Sequence, residues 1–224
     1  AAPGLHQLER KISLYAGSDM VMIENVIDKK AVREKEAVHF SFPFHESFQH
    51  TLLDAGYGTI RYIADQLPGS NMDYLYGRRW LDASSADHGV QLLWQQTALT
   101  EPGDMIDERL SINQSHKPWR TEGPVTANWF SYVMNNYWHT NYKADQPGIS
   151  HYNYALRPHT MVNNAEMEKA ATEFTQPLLG IPVKKEMIKP GTLFELSNKR
   201  LTVTGIIPQA NGSLLIRLFN PEPT

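Results

Sequence analysis

The stretch AVHFSFPF, Ala37 to Phe44, decides the fold. Val38, Phe40, Phe42 and Phe44 alternate with Ala37, His39, Ser41 and Pro43. A period of two sends the three rings to one face of an extended strand, where they are expected to be buried. Pro43 has no N–H to give to a ladder, so this strand is expected at a sheet edge or close to its own end.

Working outward, the runs Leu5 to Tyr15 and Met20 to Ile27 are β-compatible and are joined by the turn-formers AGSD. Further strands are expected over Thr59–Ile63, Arg78–Ala83, Val90–Gln96 and Trp129–Met134. Near the end, LTVTGII and SLLIRLF flank PQANG, and Asn211-Gly212 is a strong hairpin signal. One segment changes period. In NNAEMEKAATEFTQP, Met167, Ala170, Ala171 and Phe174 fall at helical spacing, with Asn164 as the expected N-cap and Pro177 as the stop. It reads as one amphipathic helix laid against the sheets. No fixed-period repeat is visible, and PWRTEGP (118–124), the best internal loop candidate, is too short to divide domains. The expected fold is mainly β: one large β-sandwich over residues 1–224 with one short helix.

Composition excludes several classes of function. The 224 residues are 41% hydrophobic and 20% charged, as in an ordinary globular domain. A formal net charge of −3, with only the isolated basic pairs Arg78-Arg79 and Lys184-Lys185, gives no footing for nucleic acid or an anionic membrane. The absence of cysteine removes disulfides, thiolate metal sites and cysteine nucleophiles, and leaves the compartment open. No apolar run approaches the roughly 20 residues that span a bilayer. The opening AAPGLHQLER has neither the basic nor the apolar region of a signal peptide. It begins on Ala1 and reads like a cut edge, which suggests a fragment.

No self-contained catalytic centre emerges. HExxH, GxSxG, GxGxxG and the P-loop pattern are all absent, and GYG at Gly56 to Gly58 reads as a turn. The histidines show no ligand spacing: His45 and His50 are five apart, His151 and His159 eight apart, and both pairs read as surface or hydrogen-bonded side chains. Asp87, Asp104 and Asp107 stand among turn residues, where Asp commonly caps its own backbone. Asp82 is more distinctive. In GRRWLDASSADHG an extended backbone puts Trp80 and Asp82 on one face and Arg79 on the other. A buried Trp80, with Asp82 capping the ASS turn, is the favoured reading; a substrate contact by Arg79 and Asp82 is the alternative.

Several stretches, in order, resemble the C-terminal region of family 38 glycoside hydrolases, the α-mannosidases and their relatives, in particular the bacterial branch. They are IENVIDKKAVREKEAVHFSFPF, TIRYIADQLPGSNMDYLYGRRWLDASSADHGVQLL, WFSYVMNNYWHTNYKADQPG and SLLIRLFNP, spanning about Met22 to Pro221. The resemblance implies a galactose mutarotase-like β-sandwich. It also implies that the parent enzyme hydrolyses α-mannosides with retention, using an aspartate nucleophile, a second carboxylate as acid and a zinc ion that grips sugar hydroxyls. In the family those groups belong to an N-terminal catalytic domain, whose motifs have no match here. No nucleophile, acid or zinc ligand is therefore assigned to this chain, and the fragment alone is expected to be inactive. RLFNPEPT stops where family members continue for further strands, so the sandwich is expected to be truncated there. The partners implied are the catalytic domain of the same chain and mannosides; a homo-oligomer is compatible with this.

The aromatic stretch NNYWHTNYKADQPG, Asn135 to Gly148, is a signature at a strand end in that family. A lone histidine makes it a poor metal corner. Two readings stay open for Tyr137, Trp138, His139 and Tyr142: core or domain interface, or direct contact with sugar. At the level of function, a stand-alone carbohydrate-binding module and a purely structural or oligomerisation sandwich remain the alternatives to a domain of a mannosidase.

Overall fold

The structure is a computed structural model, and it describes residues 4–44, 48–103, 120–123, 128–136, 143–160, 163–176, 178–184 and 191–222. The chain divides into two compact units, residues 1–162 and 163–224.

The first unit is a β-sandwich. One sheet has seven strands: β1 (Leu5–Leu14), β2 (Val21–Lys29), β4 (His50–Asp54), β5 (Thr59–Arg61), β7 (Trp80–Ser84), β8 (Gly89–Trp94) and β11 (Gly148–His159). They lie in the order β1-β2-β11-β8-β7-β4-β5. The other has four: β3 (Ala37–Pro43), β6 (Leu75–Tyr76), β9 (Leu99–Pro102) and β10 (Asn128–Asn135), in the order β3-β10-β9-β6. Every pairing is antiparallel. The AVHFSFPF reading holds: β3 is an edge strand, Pro43 is its last residue, and Phe40 and Phe42 are buried in the core.

That core lies between the sheets. Ile23, Ile27, Leu53, Leu81, Ala83, Leu92, Trp94 and Tyr154 from the large sheet meet Phe40, Phe42, Leu75 and Trp129 from the small one. Tyr154 is the pivot. Phe40 and Phe42 pack on its ring at centroid distances of 5.7 and 5.0 Å, and its hydroxyl donates to Ser131 Oγ at 2.9 Å. Burial holds the Tyr154 phenol well above its ordinary pKa, so it stays a neutral donor.

β7 and β8 are covered on both faces. Leu81, Ala83 and Leu92 point into the sandwich, while Trp80, Asp82, Ser84, Gln91 and Leu93 alternate with them and are buried as well. The expected common face for Trp80 and Asp82 is therefore present. The GYG turn is also present: Gly56 and Tyr57 have φ of 81° and 71°, and Ala55 N–H donates to Gly58 O at 2.8 Å. A positive φ is unusual for tyrosine. The Arg78 guanidinium covers the Tyr57 ring at 4.3 Å and donates to its hydroxyl at 3.2 Å.

The second unit holds α1 (Asn164–Thr175) and the hairpin β12 (Thr202–Pro208) and β13 (Leu214–Phe219). Met167, Ala170, Ala171 and Phe174 form the buried face of α1, as their spacing predicts. The cap is corrected by one residue. Asn163, not Asn164, is extended (φ −140°) and accepts the Glu166 N–H at 3.2 Å. Asn164 is the first helical residue, and its amide donates to Pro221 O at 3.2 Å. The Asn211-Gly212 turn closes the hairpin, with Gly212 at φ 81° and Gln209 N–H donating to Ser213 O at 2.8 Å.

Candidate functional site

Two regions carry the sequence-predicted site residues, and the structure treats them differently. In the first, Arg79, just before β7, and Asp82 within it each enter a buried acid–base pair. Arg79 Nε donates to Asp54 Oδ2 at 2.8 Å. Asp82 is fully buried and meets His159 Nε2 at 2.6 Å, with Gly89 beside them. Asp82 thus pairs across the sheet instead of capping the ASS turn; there Ser85 N–H donates to His88 O at 2.8 Å.

The packing around this pair explains Gly89. A Cβ there would lie 2.6 Å from both Ser84 Cβ and His159 Cε1, so the position must stay bare for Ser84 and His159 to approach. The buried carboxylates Asp54, Asp73, Asp82 and Glu101 face Arg79, Arg120, His159 and His39 at 2.8, 3.2, 2.6 and 3.1 Å. Each of these acids is thus buried and held against a base. Among the described residues no group of three or more His, Asp or Glu side chains could hold a metal ion. No helix among them is long and apolar enough to cross a membrane.

The second region is the end of β10, which leads into the aromatic stretch. Tyr137, Trp138, His139 and Tyr142 lie outside the described residues, but the strand that delivers them is clear. β10 runs beside β3 along its length, whereas its pairing with β9 covers only Trp129, Phe130 and Ser131. Beyond Ser131, one edge of β10 has no strand partner from β9. There the register with β3 shifts between Tyr132 and Met134, so Val133 is an extra residue, a β-bulge. The carbonyls at the bulge find side chains instead. Thr97 Oγ1 donates to Tyr132 O and Tyr152 OH to Val133 O, both at 3.4 Å.

The ring of Tyr132 stacks on His39 at 4.3 Å, and the Tyr74 ring leans against it at 5.9 Å. Burial, with the Glu101 carboxylate nearby, raises the Tyr74 phenol above its ordinary pKa. Next along the chain, Asn136 is fully buried. Its amide donates to Glu36 Oε1 at 2.9 Å and to the Val32 carbonyl, while Glu36 pairs with the buried Lys29. The stretch is thus anchored at its start by a buried polar network that sequence reading did not find. Its members come from residues 29–36 and 136, about a hundred positions apart, and no local pattern links them.

Two hollows open at this place. A shallow one of about 330 Å³ is lined by Leu99, Tyr132, Val133, Met134, Asn135 and Gln146. A more enclosed one of about 150 Å³ shares Val133, Met134 and Gln146 and reaches Lys29, Ser150 and Tyr152.

Comparison with known proteins adds the architecture. No protein-family model matches the sequence, and no curated protein matches it. Among solved structures, an α-mannosidase from Enterococcus faecalis matches with a TM-score of 0.66 at 13% identity, over 96% of this chain and 23% of its own. A glycosyl hydrolase family 38 protein from the same organism matches with a TM-score of 0.63 at 13% identity, over 96% of this chain and 24% of its own. The chain therefore shares the fold of one portion of these enzymes and spans about a quarter of their length.

Proposed function

We propose that this chain is the C-terminal β-sandwich part of a larger, retaining α-mannosidase-type glycoside hydrolase. One observation carries the reading: 96% of the chain superposes on a portion of an α-mannosidase about four times its length. In this reading the nucleophile, the acid and a zinc ion belong to an N-terminal catalytic domain of the same polypeptide. The residues here contribute none of them. The acids Asp54, Asp73, Asp82 and Glu101 are each held by a base, in keeping with a supporting role.

The contribution of this part is mechanical and positional. A seven-stranded sheet backed by a four-stranded one makes a stiff base. Loops and strand ends on such a base can be held to the tolerance that sugar chemistry requires. The end of β10, with its aromatic continuation, is the portion proposed to face mannoside or the catalytic domain.

The test is the size of the native polypeptide, from an antibody raised to this chain and a blot of the source cells. The expected band is several times 25.5 kDa, and the longer protein hydrolyses aryl α-mannosides in a chelator-sensitive manner. A native band near 25.5 kDa overturns the assignment.

A further inference from the structure

We propose that β1 is a dimerisation edge, through which two copies of this chain pair antiparallel into one continuous sheet. The interface lies within the first unit and does not depend on the parent-enzyme reading. β1 is the end strand of the large sheet, and among the described residues no strand pairs with its outer side. Along that side, backbone N–H and C=O groups are left for a further strand.

The side chains support the same pairing. Leu8 lies opposite Ile27 and Ile12 opposite Ile23, so both stand on the core-facing side of the sheet. Yet Leu8 is 52% and Ile12 63% exposed, and the apolar rows of the core run out uncovered at this edge.

β1 is its own complement. A two-fold axis perpendicular to the sheet keeps core-facing residues opposite core-facing residues. With that axis at Arg10, Leu8 of each copy meets Ile12 of the other, Glu9 meets Lys11, and Gln7 meets Ser13. Two apolar rows then run across four strands, Ile27 and Leu8 of one copy continuing into Ile12 and Ile23 of the other. On the opposite face Lys11, already bonded to Glu24 at 2.7 Å, comes between that carboxylate and Glu9 of the second copy.

Neighbouring registers fail. With the axis at Glu9, two carboxylates meet and Leu8 faces Arg10; at Lys11, two ammoniums meet and Arg10 faces Ile12. Arg10 is tolerated on the axis because it is turned back into its own copy. Its Nε donates to Asn25 Oδ1 at 2.7 Å, and its guanidinium lies over the Phe40 ring at 5.5 Å. Charges on an edge strand commonly keep other strands away. Here Glu9 and Lys11 select their own mirror image over a foreign strand, which commits the edge to a second copy.

The experiment is sedimentation equilibrium of the 224-residue chain, together with cysteine cross-linking, for which a chain without native cysteine is suited. The expected mass rises with concentration from 25.5 kDa towards twice that value, with a micromolar Kd. Ile12→Lys, at an exposed position, should raise that Kd about tenfold or more. Under mild oxidation Arg10→Cys should link to itself, while Gln7→Cys and Ser13→Cys should link only when mixed. Circular dichroism verifies each fold; should Arg10→Cys unfold, the mixed pair decides. A chain that stays at 25.5 kDa up to millimolar concentration overturns the dimer and leaves the edge to a strand from elsewhere. A dimer that ignores Ile12→Lys, or in which the mixed pair does not link, overturns the β1 interface.

Discussion

At the scale of single residues, several buried acids meet bases from distant parts of the chain. Asp82 and His159 are 77 positions apart and meet at 2.6 Å on a fully covered face. Removing the carboxylate leaves the buried His159 nitrogen without its partner, so Asp82→Ala is expected to cost about 1–3 kcal/mol in urea unfolding. Asp82→Asn, which keeps a hydrogen-bonding partner, should cost less. Gly89→Ala tests the same spot from the other side. Its methyl would press on Ser84 and His159, with an expected loss of about 1–3 kcal/mol in the same measurement. The sequence made Asp82 conspicuous, because a carboxylate next to Trp80 on a strand is unusual. It could not reveal the partner, since nothing local ties residue 82 to residue 159. The same limit hid Asp54 from Arg79, and the Lys29–Glu36–Asn136 network from its neighbours.

Elements were legible where their pattern is local. The alternation of AVHFSFPF, the NG turn and the 3.6-residue spacing in α1 each report on their own backbone, and each is found. Strands defined by their neighbours were harder. β6 and β9 have two and four residues, too few for a period to show. β11 is the longest strand, yet ISHYNYALRPH carries His151, Asn153 and Pro158 among its apolar residues. Its strand state is dictated by β2 on one side and β8 on the other. The helix cap shows a finer limit, because Asn163 and Asn164 are chemically identical candidates and only backbone geometry separates them. Asn163→Ala is expected to lower the stability of α1 by about 1 kcal/mol, measured by urea titration followed by circular dichroism. Gly212→Ala, at φ 81°, should cost about 1–2 kcal/mol in the same titration by straining the hairpin turn.

On the scale of the whole molecule, sheet order sets the timetable of folding. β1 and β2 form a local hairpin, but β2 completes its pairing only with β11, so that Asn25 bonds to Tyr152 across 127 positions. During synthesis at about 5–20 residues per second, the hairpin waits on the order of 10 s for its neighbour to be made. Through that interval Ile23 and Ile27, deeply covered in the finished sandwich, face the solvent or a chaperone. Ribosome-bound chains halted before residue 148 should therefore be cut rapidly by protease within 5–29, and chains released beyond 160 should resist. The gap between β2 and β11 thus leaves the newly made β1–β2 hairpin exposed until the chain beyond residue 148 has been translated.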